Sequence, residues 1–329
     1  MGKNLGILFT SRNNYSLLDE WLNRVDWDGF EILNIDEDSS KTERKKGIDI
    51  CKKHNVTYMD REKRGFLNNM VTTYEYFGKK NIDYAMWFQH DCFPLTDNFF
   101  DRLNKLTMSK QLDDFGMIGF NNFHRPGPSV YRKGSRELHY VARSPLEPGD
   151  NWYRHKRHWS GTRPDLNSGS FSKPFSVTTP SAFGVCFNLK LYEKYITPVN
   201  EYHWMNVSDE IGWQYCNQNI HNITIPYLHL GHEPHRKEEV GIPRVSSKAH
   251  KANQRGKYVK EHFDHDDEFF GKWGLSVFES RWGVDYDNAR ASFEKVKDRY
   301  RGTLLMDFYN HDPINGPLKS FDIEYEEDR

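Results

Sequence analysis

Side chains suited to metal binding follow an aromatic segment near residue 90. The sequence Gln89-His90-Asp91 comes directly after an apolar run, Tyr84 to Phe88, and Pro94 stops the strand that this run predicts. In open α/β sheets, ligands bind beyond the carboxyl ends of the strands. Because carboxylate and imidazole groups both bind divalent metals, we expect Asp91, with His90 beside it, to serve a metal or ligand site. A strand followed by a polar turn fits the same residues.

Two later groups offer further chemistry. Three histidines within seven residues, His229, His232 and His235, follow another predicted strand and offer additional metal ligands. Asp209 and Glu210 open a predicted helix, where carboxylates are electrostatically favourable whatever their function. One of these two carboxylates could instead act as a general base that removes a proton from an acceptor hydroxyl. The residues alone leave both interpretations open.

An acidic segment, Asp36 to Ser40, ends the second predicted strand. A carboxylate there either accepts a hydrogen bond from a ribose or a base, or forms an Asx turn that begins the next helix. The chain has no GxGxxG after its first strand and no GxxxxGK[ST], so the standard phosphate-binding loops are absent. A bound nucleoside diphosphate would need another source of positive charge. Mn²⁺ or Mg²⁺ held by Asp91 is the simplest one.

Composition narrows the class of protein. The 46 Lys and Arg residues nearly balance 47 Asp and Glu residues, so the net charge of −1 predicts no general affinity for nucleic acid or membranes. The four cysteines have no CxxC spacing, and no run of 18 apolar residues exists. We therefore expect a cytoplasmic protein with reduced thiols and no membrane span.

The order of elements predicts an α/β fold with a mostly parallel sheet and flanking helices. This α/β domain is expected over residues 1–235, followed by a mobile basic segment at 236–257 and a mainly helical C-terminal extension with an acidic tail at 258–329. The predicted strands are 5–10, 30–35, 56–59, 84–88, 116–120 and 223–228, and regular structure of unspecified type is predicted at 180–188. The predicted helices are 16–25, 42–53, 66–77, 98–108, 189–195 and one from 207.

The composition of residues 122–175 predicts a long loop insertion that is rich in basic and aromatic side chains and could bind a ligand. It holds ten Lys and Arg residues against four Asp and Glu residues, interleaved with aromatic side chains. Trp152, Arg154 and Trp159 are its candidate ligand-binding residues. Such a mixture suits phosphate contacts with base stacking, or contacts to a donor diphosphate with aromatic stacking on sugars.

Taken together over residues 4–235, these motifs resemble nucleotide-diphospho-sugar glycosyltransferases of the GT-A fold, closest to the inverting family 2 enzymes of bacterial and phage type. The resemblance places the Asp-x-Asp motif on Gln89-His90-Asp91, with Gln89 where the family has its first Asp. It implies metal binding by Asp91 with His229 or His232, and catalysis by Asp209 or Glu210. The implied nucleotide-sugar-binding residues are Thr10, Ser11, Arg12, Asp36, Gly65, Asn69, Gln89 and His90. The implied acceptor-binding residues are Trp152, Arg154 and Trp159.

The resemblance also implies an activity. We expect an inverting, metal-assisted transfer of a sugar from a nucleotide-diphospho-sugar to a glycan or a lipid-linked saccharide. One alternative is a phage-type DNA glycosyltransferase that acts on a hydroxymethylated base of duplex DNA and must extrude that base. Another is a catalytically silent GT-A module that binds a nucleotide or glycan, because Gln89 replaces an expected metal ligand. The sequence does not indicate the sugar, the nucleotide or the oligomeric state.

Overall fold

The structure is a computed structural model that describes residues 3–13, 15–61, 66–88, 92–94, 96–124, 139–140, 173–180, 184–198, 207–232, 273, 295–310 and 318–323. Within these residues a ten-stranded sheet is flanked by helices. The strands are β1 (Leu5–Ser11), β2 (Glu31–Glu37), β3 (Thr57–Arg61), β4 (Tyr84–Phe88), β5 (Cys92–Pro94), β6 (Phe115–His124), β7 (His139–Tyr140), β8 (Phe175–Val177), β9 (Gly184–Asn188) and β10 (His221–His232). The helices are α1 (Tyr15–Arg24), α2 (Lys41–Lys53), α3 (Phe66–Gly78), α4 (Phe99–Met108), α5 (Leu189–Tyr195), α6 (Val207–Asn217) and α7 (Leu304–Asn310), with a 3₁₀ helix at Lys297–Tyr300.

Most strands of the sheet point in one direction. The main order is β3-β2-β1-β4-β9-β6-β10-β5, while β7 pairs with β6 and β8 with β10. Strands β1 to β4 are parallel, and β6 is parallel to β10. Strand β9 is antiparallel to both β4 and β6, so these two blocks share one direction. The predicted α/β fold is confirmed, and the carboxyl ends of β1 to β4, β6 and β10 lie along the same edge of the sheet.

Burial explains why the first strands form where they do. In β1 and β2 nearly every residue is buried, as expected for parallel strands covered by helices on both faces. Helix α1 buries Tyr15, Leu18 and Leu22, which recur at helical spacing on one face. Helix α2 begins after Ser40, whose hydroxyl accepts a hydrogen bond from the amide of Glu43 at 3.3 Å.

Two hydrophobic cores lie on the two faces of the sheet. One contains apolar side chains of α1, α2 and α4 together with β1, β6 and β10. The other contains side chains of α3, α5 and α6, and Trp273 and α7 from the C-terminal region join it. The sheet is therefore covered on both sides, which is the layered arrangement that the alternating strands and helices predict. Among the described helices, none is both long enough and apolar enough to cross a lipid bilayer.

The described part of the C-terminal region packs on the sheet domain. The amide of Ser176 in β8 donates to the carbonyl of Lys319 at 2.8 Å, and the amide of Phe321 donates to the carbonyl of Pro174 at 2.8 Å. Phe175 and Ser320 form an antiparallel bridge. Backbone pairing therefore links the far end of the chain to residues near 175. The predicted mobile segment 236–257 lies outside the described residues, so the predicted domain boundaries stay predictions.

Strand β10 begins with a partly buried histidine. The Nδ1 atom of His221 lies 3.2 Å from the hydroxyl of Ser176, and its ring centroid lies 5.2 Å from that of Phe321. Burial lowers the pKa of His221, and nearby Lys319 lowers it further, while Asp307 opposes the change. The folded state therefore disfavours a proton on this imidazole relative to the unfolded chain.

The lowered pKa of His221 predicts acid sensitivity. The unfolded chain binds more protons than the native state once the pH falls below the ordinary histidine pKa of 6.5. Stability contributed by neutral His221 is thus fully present above that pH and is lost as the pH falls through the lowered native pKa. We expect His221→Gln to flatten the fall in the free energy of unfolding between pH 7.5 and pH 5, measured by urea denaturation. Identical slopes for both proteins would contradict this assignment.

Candidate functional site

Four predicted site segments meet at the carboxyl edge of the sheet. Strand β1 ends at Ser11, β2 ends beyond Asp36, β4 ends directly before residues 89–91, and β10 ends at His232. These strands share one direction, so segments far apart in sequence come to one edge. In open α/β sheets this edge is where ligands bind. The candidate site is built here, beyond β1, β2, β4 and β10.

The end of β1 is held by hydrogen bonds to both neighbouring strands. The Oγ1 atom of Thr10 accepts a hydrogen bond from the indole nitrogen of Trp87 in β4 at 3.0 Å. The hydroxyl of buried Ser11 donates to the side-chain oxygen of Asn34 in β2. The ring of Trp87 packs against that of Phe66, with centroids 4.4 Å apart. Thr10 is partly exposed whereas Ser11 is buried, so of these two residues Thr10 is the one that a ligand can reach.

Asp36 is fully buried at the end of β2. One carboxylate oxygen accepts a hydrogen bond from the hydroxyl of Tyr15, and the other accepts one from the amide of Ser39 at 2.8 Å. Burial raises the pKa of Tyr15 most, and its hydrogen bond to Asp36 and the charge of that group raise it further, so the hydroxyl stays protonated and donates. The Ser39 contact is a local turn, three residues along the chain, and it differs from the Asx turn that the sequence offered as an alternative, which would bond the amide two residues on. The helix that follows is capped by Ser40. Contact of Asp36 with a nucleotide stays a prediction.

A second pair joins β2 to α3. The side-chain amide of Asn69 donates to the carboxylate of Glu37, and both residues are buried. Asn69 was predicted to bind a nucleotide, and the structure brings it to the carboxyl end of β2. Glu37 was not predicted as a site residue. The acidic run at 36–38 was its only sequence signal, because its partner lies 32 residues later.

The rim beside β3 carries an ion-pair network that sequence reasoning missed. Arg44 of α2 lies 2.8 Å from the carboxylate of Asp60 and 3.8 Å from that of Asp38. Asp60 is in register with Asp36 on the neighbouring strand. The strand was predicted to end at residue 59 and instead runs to Arg61, so these charges were not seen as part of the edge.

The predicted metal-binding segments are brought together by backbone pairing. Strand β10 is antiparallel to β5, with His232 in register with Cys92 and Leu230 with Pro94. Cys92 directly follows Asp91, so His232 is placed beside the end of the predicted motif. The amide of His229 donates to the hydroxyl of Thr96 at 2.8 Å. Burial lowers the pKa of the His229 imidazole, and this favours the neutral form that binds metals.

Within the described residues no group of three His, Cys, Asp or Glu side chains is arranged to hold a metal ion.

Seven predicted site residues lie outside the described residues: Gly65, Gln89, His90, Asp91, Trp152, Arg154 and Trp159. Asp209 and His232 lie in α6 and β10, where their backbone positions are described. A carboxylate suits either Mn²⁺ or Mg²⁺, whereas an imidazole beside it suits a transition metal such as Mn²⁺ better than Mg²⁺, which takes oxygen ligands.

Glu210, the second predicted catalytic residue, is fully buried in the first half of α6. One carboxylate oxygen accepts from the side-chain amide of Gln214 at 2.8 Å, and the other accepts from the indole nitrogen of Trp273 at 2.7 Å. The side chain of Gln214 also bonds the backbone of Thr197 through both its oxygen and its nitrogen. Glu210 is thus held inside the domain.

Helix α6 is directed with its amino end towards the candidate site. It ends at Asn217, four residues before β10 begins, so it runs back against the direction of β10. The side chain of Asn222 donates to the carbonyl of Gly212 at 3.0 Å and to that of Thr178 at 2.9 Å, which fixes the helix on the sheet. Successive residues of a helix are rotated by about 100°, so the backbone position of Asp209 differs from that of buried Glu210 by this rotation.

Comparison with solved structures identifies the fold. GalNAc-T7 with UDP, GalNAc and Mn²⁺ matches 95% of this chain at 15% identity, with a TM-score of 0.51. The chain spans 57% of the length of that structure. The mannosyltransferase PcManGT from Pyrobaculum calidifontis in complex with GDP-Man and Mn²⁺ matches 91% of this chain and 74% of its own, at 12% identity and a TM-score of 0.48. Comparison with protein-family models and with curated protein sequences gives no match. At these identities the likeness to GalNAc-T7 establishes a shared fold.

Proposed function

We propose that this chain, which has the GT-A fold of nucleotide-sugar glycosyltransferases, transfers a sugar from a nucleotide-diphospho-sugar to an acceptor hydroxyl. The observation that carries the proposal is the meeting of four segments at one edge of the sheet. The ends of β1 and β2 supply polar groups for a nucleotide, β10 brings its histidines to the strand that follows Asp91, and α6 directs its amino end towards them.

The donor site divides into residues that touch the nucleotide and residues that hold them. Thr10 and Arg12 are partly exposed at the end of β1, and we assign them direct contacts together with Gly65, Gln89 and His90. Ser11, Asp36 and Asn69 are buried and hydrogen-bonded to protein groups. We assign these three the task of fixing the ends of β1 and β2, since preorganised polar groups bind a ligand with less loss of conformational freedom.

Asp91 and His232 are the proposed metal ligands. The register of His232 with Cys92, the residue after Asp91, favours His232 over His229. A bound Mn²⁺ or Mg²⁺ would neutralise the diphosphate and stabilise the charge of the departing nucleotide. Gln89, where an Asp was expected, leaves Asp91 as the acidic member of this motif.

Asp209 is the proposed general base. A general base must reach the hydroxyl that it deprotonates. Both oxygens of buried Glu210 already accept hydrogen bonds from Gln214 and Trp273, which supports the assignment to Asp209. Removal of the hydroxyl proton would let the acceptor oxygen attack the anomeric carbon from the face opposite the leaving nucleotide, with inversion of configuration.

The proposed acceptor is a glycan or a lipid-linked saccharide. We assign its binding to the segment at 122–175, with Trp152 and Trp159 stacking on sugar rings and Arg154 contacting polar groups. This segment begins at the end of β6, which lies on the same edge of the sheet as the donor residues. No described contact favours the DNA acceptor or the catalytically silent module.

Thermal denaturation with UDP or GDP, with and without Mn²⁺, tests the donor site. We expect stabilisation that depends on the metal, because a ligand at 100 times its dissociation constant stabilises the folded state by about 2.7 kcal/mol. Asp91→Asn should abolish the metal dependence. Asp83→Asn is the matched control, since Asp83 precedes the same strand at its opposite end and binds Lys190 at 2.7 Å. No shift with either nucleotide, or an equal shift in Asp91→Asn, would contradict the proposal.

A further inference from the structure

A tryptophan far along the chain contacts the helix that carries the proposed base. The side chain of Trp273 is buried, and its indole nitrogen donates to the carboxylate of Glu210 at 2.7 Å. The two residues are 63 positions apart. Glu210 directly follows Asp209, so the acceptor of this hydrogen bond is the sequence neighbour of the proposed general base.

Aromatic packing fixes the position of Trp273. Its ring meets that of Trp213 edge to face, with centroids 5.3 Å apart, and stacks on that of Tyr300 at 5.9 Å. The hydroxyl of Tyr300 donates to the carbonyl of Trp273 at 3.1 Å. Burial raises the pKa of Tyr300 to about 12, so this hydroxyl keeps its proton at neutral pH. Both the backbone and the ring of Trp273 are therefore held in place by buried groups.

The partners of Glu210 explain why a carboxylate occupies this interior position. Gln214 and Trp273 each donate a hydrogen bond to one of its oxygens, and the amino-terminal half of a helix favours negative charge. A buried carboxylate oxygen that loses its hydrogen-bond donor costs free energy, so neighbouring groups are expected to move to restore a hydrogen bond. The hydrogen bond from Trp273 is thus one of two that hold the Glu210 side chain near the start of α6.

We infer that Trp273 is a positioning residue for the proposed sugar transfer: through Glu210 it fixes the amino-terminal turn of α6 and hence the direction of Asp209. This inference rests on the proposed function. It makes a segment beyond residue 235 part of the catalytic machinery. A misplacement of about 1 Å at a reacting group can cost about 10²-fold in rate, so a fixed turn has a large effect on turnover.

Trp273→Phe in the full chain tests the inference, since it removes the N–H donor and keeps an aromatic ring. We expect kcat for sugar transfer to fall by about 10-fold or more, with the KM for the donor and the nucleotide–Mn²⁺ stabilisation unchanged. Trp21→Phe is the matched control, because Trp21 is equally buried but lies in the core on the other face of the sheet. It should lower stability while keeping kcat within about twofold of the wild type.

A double-mutant cycle separates positioning from loss of packing. Glu210→Gln retains the shape of the side chain but offers one acceptor oxygen to two donors, so it should also lower kcat. Combined with Trp273→Phe, its effect should be far less than multiplicative, because both changes break the same contact. This variant also serves if Trp273→Phe fails to fold, since an unchanged kcat in Glu210→Gln would overturn the inference.

The outcomes distinguish the inference from the function on which it rests. If the wild-type protein shows neither transfer nor nucleotide–Mn²⁺ stabilisation, both are overturned. If the wild-type protein shows both, and Trp273→Phe behaves like Trp21→Phe, only the positioning role is overturned. A rise in the donor KM with unchanged kcat would likewise overturn it, because that result indicates lost binding rather than a displaced base.

Discussion

Replacement of Asp209 by asparagine will lower turnover by about 10²–10⁴-fold at saturating donor and acceptor, which is the usual contribution of a general base. The amide has the shape of the carboxylate but cannot take the proton of the acceptor hydroxyl. Donor binding does not need this proton transfer, so stabilisation by nucleotide and Mn²⁺ should be retained. Steady-state transfer assays and thermal denaturation of the same preparations measure the two quantities.

Comparison of the kcat of Glu210→Gln with that of Asp209→Asn decides which of the two carboxylates is the general base. Glu210 is buried and hydrogen-bonded to Gln214 and Trp273, so its replacement should act through the position of α6 and cost less than Asp209→Asn. An unchanged kcat in Asp209→Asn would exclude Asp209 as the base. A loss in Glu210→Gln that exceeds the loss in Asp209→Asn would transfer the assignment to Glu210.

Replacement of Asp36 by alanine will destabilise the fold as well as the donor site. The hydroxyl of Tyr15 and the amide of Ser39 both donate to this buried carboxylate. Each buried donor left without a partner costs about 1–3 kcal/mol. The free energy of unfolding should therefore fall several times more than it does when an exposed ion pair is removed. Urea denaturation measures the loss, and nucleotide-induced stabilisation of the variant reports the weakened donor site.

Asp101→Ala is the matched control for this second prediction. Asp101 lies on α4 with its side chain 56% exposed, in an ion pair with Lys3 at 2.5 Å. Exposed pairs contribute about 0–1 kcal/mol, so this change should leave both stability and nucleotide binding nearly intact. Equal losses in Asp36→Ala and Asp101→Ala would mean that the Asp36 hydrogen bonds do not fix the end of β2.

Helices with a clear apolar face were predictable from the sequence. The prediction at 189–195 matches α5, and those at 42–53 and 66–77 match α2 and α3 within one residue at each end. Side chains on one face repeat at 3.6 residues, and this pattern depends only on local sequence. Strand β8 at Phe175–Val177 was missed because three residues carry no period, and its formation depends on pairing with β10.

The candidate site was predictable only in part. The end of a predicted strand identified Asp36, the family resemblance added Thr10 and Asn69, and the structure brings these residues to one edge of the sheet. Adjacent Asp209 and Glu210 could not be ranked, because the difference between them depends on burial and on Trp273, 63 residues after Glu210. Such long-range contacts leave no periodic pattern in the sequence.

The attachment of β6 and β8 to one strand has a consequence for how this protein can vary. Strand β6 ends at His124, β8 begins at Phe175, and both are paired with β10. Strand β7 (His139–Tyr140) lies within this connection and is paired with β6, so the stretch between β7 and β8 is a connection with both ends fixed by the sheet. The entropy of closing such a loop grows only with the logarithm of its length, so doubling the loop costs about 0.6 kcal/mol. Changes of length between residues 141 and 172 should therefore cost the scaffold little free energy during evolution.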